Sequence, residues 1–144
     1  MTDKVIVLGS GYAGAGAVQS LQRSLGSDQA EVTWVSDVDY HLVLHESHRC
    51  IRDPDVREHV TIPVDEIKSP DVAFVQAKVT GIDCDRRVVE LEGGELDYDY
   101  VLVGLGSQTA FFDIEGLEEH AHTLNCLDDA LTIHDDLERA LNDT

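Results

Sequence analysis

The chain has 144 residues and a formal charge of −19, from 29 acidic residues against 10 basic ones. Nucleic acid and anionic membrane surfaces both need a basic face, so neither is an expected partner. The length suits one domain and is small for a complete dinucleotide-dependent enzyme, while an apolar share of 42% in periodic runs argues for a folded core over disorder.

Lys4-Val5-Ile6-Val7-Leu8 reads as a strand that ends in the loop Gly9-Ser10-Gly11-Tyr12-Ala13-Gly14. The loop opens into a helix over Ala15 to Leu25, with Ala13, Ala17, Leu21 and Leu25 at helical spacing. Strand, glycine loop and helix in that order predict a phosphate loop. Gly9 permits the tight turn, Gly11 lets a pyrophosphate approach the backbone, and Gly14 lets helix and strand pack closely. The first-turn amides and the positive end of the helix dipole then receive the phosphates. Gly26-Ser27-Asp28-Gln29 is a turn, and Glu31-Val32-Thr33-Trp34-Val35 a second, β-branched strand. An acidic residue at the end of that strand is placed to hold a ribose; Ser36-Asp37 stands there.

From Asp37 to Pro54 the chain predicts a long loop carrying His41, His45, Glu46 and His48, with a short helix over His45 to Arg49. A His-x-x-His pair invites a metal, but no third ligand follows and no metal site is assigned. These side chains are better placed to line a crevice at the carboxyl ends of parallel strands. Asp65 to Lys68 is one helical turn, and Val72-Ala73-Phe74-Val75 a third buried strand. Lys78 to Asp83, Arg87 to Leu91 and Leu96 to Tyr98 alternate around tight turns as a three-stranded antiparallel meander. Tyr100-Val101-Leu102-Val103 is continuously apolar, which predicts a central parallel strand, and it closes on Gly104-Leu105-Gly106-Ser107, where backbone can again lie near a ligand. An extended connection over Ala110 to Gly116 leads to a helix from Asn125, its expected N-cap, to Asn142. Leu127, Ala130, Leu131, His134, Leu137 and Leu141 form one stripe on it, with His134 a core or interface histidine. Little chain is left to cover that stripe, and self-association is expected.

Cys50, Cys84 and Cys126 are far apart, with no Cys-x-x-Cys pair. Neither a disulfide framework nor a zinc site is expected, and the compartment is reducing. The chain runs from its first residues into a strand, so no signal peptide is expected, and no apolar stretch approaches a bilayer span; a soluble, cytoplasmic protein follows. Only Lys4, Lys68 and Lys78 are lysines. An acid-rich, lysine-poor surface suits a salt-filled cytoplasm, where screening removes self-repulsion, and points to a halophilic source.

Together these stretches resemble the N-terminal part of the flavin-dependent pyridine-nucleotide oxidoreductases, and within them the type II NADH dehydrogenases (NADH:quinone oxidoreductases). Val5 to Gly14 is similar to the FAD pyrophosphate motif, and Val32 to Val35 followed by Asp39-Tyr40-His41-Leu42 to the strand-loop signature. Val79 to Asp83 resembles the segment that contacts the adenine; Tyr98 to Ser107 resembles the second flavin motif, followed by a family-like Gly116 to Ala121. The resemblance implies an α/β fold, a Rossmann-like (FAD/NAD(P)-binding) three-layer ββα sandwich with a parallel sheet and an antiparallel three-stranded meander. It implies a FAD-binding domain over 1–110, incomplete, and over 111–144 a connection and helix leading toward a missing NADH-binding domain.

By the same resemblance Gly9, Ser10, Gly11, Tyr12, Ala13 and Gly14 hold the pyrophosphate and Val79 the adenine. Leu44, His45 and Glu46 approach the isoalloxazine, and Gly104, Leu105, Gly106 and Ser107 flank the flavin. The family places its acidic ribose ligand directly after the second strand, where this chain has Ser36; Asp37 follows one residue later, so the ribose falls to Asp37 or Ser36. The resemblance implies that a complete relative passes hydride from NADH to FAD and electrons on to a quinone, as a peripheral enzyme on the cytoplasmic membrane face; this chain alone is expected to be inactive. No residue reads as a general base or nucleophile. Cys50 sits loosely where the disulfide-reductase branch carries a redox cysteine, against the plainer reading of a buried thiol. The rival readings are a stand-alone dinucleotide-binding or regulatory module, a sulfide:quinone or disulfide-reductase-like flavoprotein, and a single-domain NAD(P)-dependent dehydrogenase. The meander argues against the last.

Overall fold

The run after Lys4 forms strand β1 (Asp3–Leu8), whose last three residues are buried. In this computed structural model, which describes residues 2–26 and 28–143, helix α1 (Tyr12–Ser24) starts inside the glycine loop, earlier than its alanine run suggests. Ser27 of the expected turn lies outside the described residues; around it Gly26 N–H donates to Gln29 Oε1 and Gln29 N–H to the Gly26 carbonyl, each at 2.9 Å. Strand β2 (Ala30–Ser36) then pairs parallel with β1, Val5 opposite Val32 and Val7 opposite Trp34.

The segment from Asp37 to Pro54, expected as a long loop, contains strand β3 (Tyr40–Leu42), a 3-10 turn (Leu44–Glu46) and helix α2 (Arg49–Arg52), and a second 3-10 turn (Pro54–Val56) and helix α3 (Arg57–Val60) follow. Strand β4 (Thr61–Pro63) pairs with β3, and helix α4 (Val64–Ile67) is the expected single turn. Strand β5 (Ala73–Gln76) follows, then the meander β6 (Val79–Asp83), β7 (Val88–Leu91) and β8 (Gly94–Asp97), antiparallel throughout. Strand β9 (Tyr100–Val103) pairs parallel with β1, and the short helix α5 (Leu117–His120) and the long helix α6 (Leu127–Asn142) complete the chain.

These elements form two compact units, residues 1–41 with 63–106 and residues 42–62 with 107–144. In the first, a parallel sheet in the order β5-β2-β1-β9 carries a core on each face. Alternation along β1 makes this possible. Val7 faces Ala15 and Val18 of α1 with Val32, Trp34, Val64 and Val72, while Ile6 and Leu8 face Val35, Val89 and Tyr98 under the meander. Helix, parallel sheet and antiparallel sheet are therefore three layers, as a Rossmann-like ββα sandwich requires.

Two strand positions differ from expectation. β9 is an edge strand, not a central one: it pairs only with β1 among the described residues, and Tyr100 and Val103 are 62% and 58% exposed. β5 is the opposite edge and only half-buried, with Ala73 and Gln76 exposed. An apolar run reports what a strand's faces can bury, and says nothing of whether another strand lies beyond it.

In the second unit, α6 meets α2 through His134, whose Nδ1–H donates to the Ile51 carbonyl at 2.9 Å. Leu127 and Ala130 are buried while Leu137 and Leu141 stay exposed. The N-cap is Cys126 rather than Asn125. The reason is Asp129, whose carboxylate accepts from the N–H groups of Asn125 (2.6 Å) and Cys126 (3.3 Å), freeing the Asn125 side chain to donate to Thr109 Oγ1 at 2.6 Å. Burial opposes ionisation of Asp129, but these hydrogen bonds prevail and hold its carboxyl below the usual aspartate value.

Candidate functional site

β1 delivers the chain to Gly9 in the left-handed region, at φ +95°, which a side chain rarely adopts. Its N–H donates to the Val35 carbonyl at 2.7 Å, and its carbonyl accepts from the Trp34 indole Nε1–H at 2.8 Å. A Cβ built on Gly9 would strike the Gly104 carbonyl oxygen, and one on Gly14 would strike the carbonyl oxygen of Gly9. One on Gly104 would lie 3.1 Å from the Leu8 carbonyl oxygen and 3.3 Å from both Ala13 Cβ and Gly14 N. Gly9, Gly14 and Gly104 thus let three backbone segments close on one another. Gly11 is the opposite case: a Cβ there would meet nothing within 4 Å. The loop is shut behind and open in front.

Gly11 is the N-cap of α1 with no side chain to offer, and the helix has no acidic residue in its first turn. A helix of 13 residues presents unsatisfied N–H groups and partial positive charge at such an end. Ser10, buried beside it, is held from two directions. Its Oγ accepts from Ser36 Oγ at 2.9 Å, and its carbonyl lies 2.7 Å from His41 Nδ1. The His41 ring meets Tyr12 edge-on, centroids 4.8 Å apart at 81°.

Ser36 is the last residue of β2 and its hydroxyl also accepts from the Val38 N–H at 3.3 Å, so it is engaged inside the fold. Asp37 is the first residue beyond the strand and is exposed. Val79 opens β6, half-buried and opposite Leu91. Leu105 is exposed and Gly106 has φ +78°. The first unit therefore contains Gly9 to Gly14, Ser36, Asp37, Val79 and Gly104 to Gly106. Leu44, His45, Glu46 and Ser107 belong to the second unit, where Glu46 pairs with Arg49 at 3.2 Å and lies 3.9 Å from His45 Nε2. The short helix expected over His45 to Arg49 is instead the 3-10 turn followed by α2. Cys50 is buried, and that burial pushes its thiol up, the wrong direction for a reactive thiolate. Among the described residues no cluster of His, Cys, Asp and Glu could hold a metal ion.

One residue of this arrangement went unread in the sequence: Trp34 braces Gly9 from 25 positions away, and its only signal is that it is the lone tryptophan. His41, read as one of four side chains lining a crevice, turns into the glycine loop and contacts the Ser10 carbonyl.

The chain matches the Pyridine nucleotide-disulphide oxidoreductase family over residues 3–141. It is 40% identical over 119 residues to a type II NADH:quinone oxidoreductase of Staphylococcus aureus, an alignment that covers 82% of this chain and 30% of the relative. Among solved structures it is similar to NDH2 from Plasmodium falciparum in complex with NADH (TM-score 0.82, 21% identity, 98% of this chain and 30% of the other). It is equally similar to the sulfide:quinone oxidoreductase of Aquifex aeolicus (TM-score 0.82, 21% identity, 98% and 33%). At that identity the structural likenesses speak for the fold alone. The chain spans about a third of the length of the relatives it matches.

Proposed function

The chain belongs to the pyridine nucleotide-disulphide oxidoreductase family, and from that premise we propose that its glycine loop holds the diphosphate of FAD in a flavoprotein of the type II NADH:quinone oxidoreductase kind. The observation that carries this reading is the contrast at the loop, where a Cβ is excluded by backbone at Gly9 and Gly14 but meets only open space at Gly11. A turn built for packing alone has no need of a bare position facing outward. The glycine loop fits the group: Gly9 to Gly14 would take the diphosphate at the N-terminus of α1, and by the family resemblance Asp37 would take the ribose hydroxyls and Val79 would face the adenine. When bound, FAD supplies the redox chemistry, taking hydride from NADH and handing electrons to a quinone in the whole protein. Asp37 is preferred to Ser36 because the Ser36 hydroxyl is already hydrogen-bonded within the fold. No helix among the described residues is long and apolar enough to cross a membrane.

Purified chain mixed with FAD and desalted is expected to carry a flavin absorbance, to bind ADP in calorimetry, and to oxidise NADH negligibly with a quinone present. Binding of neither FAD nor ADP overturns the diphosphate reading. Binding of NAD without FAD moves the chain to a nucleotide-sensing module, and measurable NADH:quinone turnover removes the inference that the chain alone is inactive.

The charge of −19 with three lysines supports adaptation to high salt. Raising NaCl from about 0.1 M to about 1 M shortens the Debye length from ~10 Å to ~3 Å. The midpoint of thermal unfolding is expected to rise over that range, and a flat or falling midpoint counts against a halophilic origin.

A further inference from the structure

We propose that His41 is a positioning residue for the diphosphate loop: by holding the Ser10 carbonyl it aims the Gly11 N–H outward, toward the ligand. The inference rests on the diphosphate reading above and adds to it the group that sets the loop's polarity.

A carbonyl oxygen can only accept, so the 2.7 Å contact between His41 Nδ1 and Ser10 O requires the proton on Nδ1. His41 is 6% exposed, and its ring is braced by the edge-on contact with Tyr12. No peptide bond among the described residues is cis, and in a trans peptide the carbonyl of one residue and the N–H of the next point in opposite directions. Drawing the Ser10 carbonyl toward His41 therefore turns the Gly11 N–H away from it. Among the described residues that N–H donates to no backbone carbonyl, and a Cβ on Gly11 would meet nothing within 4 Å.

The alternative peptide orientation is the one to avoid. With the plane flipped, the Ser10 carbonyl would face the ligand, presenting lone pairs to an anion and leaving the Nδ1–H without its acceptor. Ser36 anchors the Ser10 side chain by its hydroxyl at 2.9 Å, which leaves the orientation of the peptide plane to His41. His41 thus acts on a phosphate it does not touch. The histidine comes from β3, so the loop's polarity is set by an element that lies outside the glycine motif itself.

The test uses two polar substitutions in the full chain. His41→Asn places an amide nitrogen the same number of bonds from Cα as Nδ1, while His41→Gln places it where Nε2 was. ADP affinity by calorimetry is expected to stay within about threefold of wild type for His41→Asn and to fall about tenfold or more for His41→Gln, the scale of one lost buried hydrogen bond, with unchanged circular dichroism. Equal ADP affinity in His41→Gln and wild type, or equal weakening in both variants, overturns the proposal while leaving the diphosphate reading intact. Wild-type chain that binds no ADP overturns the diphosphate reading and this inference with it. A variant-free measurement decides the case where a substituted chain does not fold: 15N NMR of wild type is expected to show the Nδ1–H form of His41, and the Nε2–H tautomer overturns the proposal.

Discussion

Chain carrying Gly11→Ala is expected to fold as the parent does and to lose most of its affinity for ADP and FAD. Gly11 lies at φ −70° and ψ −171°, extended backbone that alanine adopts without strain. Its new methyl would meet no protein atom within 4 Å. Alanine is the poorer N-cap but lowers the entropy of the unfolded chain, so these opposed effects should leave the unfolding free energy within about 1 kcal/mol of the parent. The same methyl enters the space assigned to the diphosphate, and overfilling a close contact costs about 1 to 3 kcal/mol, or roughly 5- to 150-fold in affinity. Gly14→Ala should do the reverse. Its methyl runs into the Gly9 carbonyl oxygen, which is backbone, with the Trp34 indole nitrogen 3.5 Å away. Alanine's better helix propensity returns only about 1 kcal/mol, against an overpacking cost at or above ~3 kcal/mol. Thermal unfolding of the unliganded chain should drop by several degrees in Gly14→Ala and stay in place in Gly11→Ala. If Gly11→Ala binds ADP like the parent, the open space at that position is not the ligand's. If Gly14→Ala is as stable as the parent, helix and strand are not in the close contact described.

The glycine loop and the meander were legible because both are local. The loop needs a strand, three glycines and a helix within 25 residues, and the meander needs only period-two alternation and tight turns. What the sequence concealed is long-range. Tyr100 to Val103 has the composition of a central strand, yet edge or centre depends on what lies beyond it. Asn125 is a good N-cap type, but the helix starts at Cys126 because Asp129 reaches back to the preceding N–H groups. Tyr40 to Leu42 could not be seen as a strand because it is three residues long and its partner is Thr61 to Pro63. That short strand decides the role of His41: in a loop it is one of several candidate ligands, whereas on β3 it faces the Ser10 carbonyl. Likewise, the proposed preference for Asp37 over Ser36 rests on a Ser36 hydroxyl already bonded to Ser10, a contact across 26 residues.

Trp34 carries the second large expected effect. It is fully buried, stands edge-on to Phe74 with centroids 6.1 Å apart, and donates to the carbonyl against which Gly14 is packed. Trp34→Ala should cost about 3 to 5 kcal/mol, a large part of the roughly 7 to 20 kcal/mol expected for a chain of this length. Trp34→Phe keeps most of the apolar volume but removes the donor, leaving the Gly9 carbonyl without its partner, at a cost of about 1 to 3 kcal/mol. Phe74→Leu is the control, since it trims the same cluster and leaves the indole hydrogen bond in place. Circular dichroism against urea measures stability without relying on the fluorescence of the lone tryptophan, and calorimetry with ADP measures the site. A released Gly9 carbonyl no longer fixes where the first turn of α1 begins, so Trp34→Phe should weaken ADP binding more than Phe74→Leu at comparable loss of stability. Equal ADP affinity in the two variants would mean that Trp34 serves the core alone, and that the loop keeps its shape without the indole.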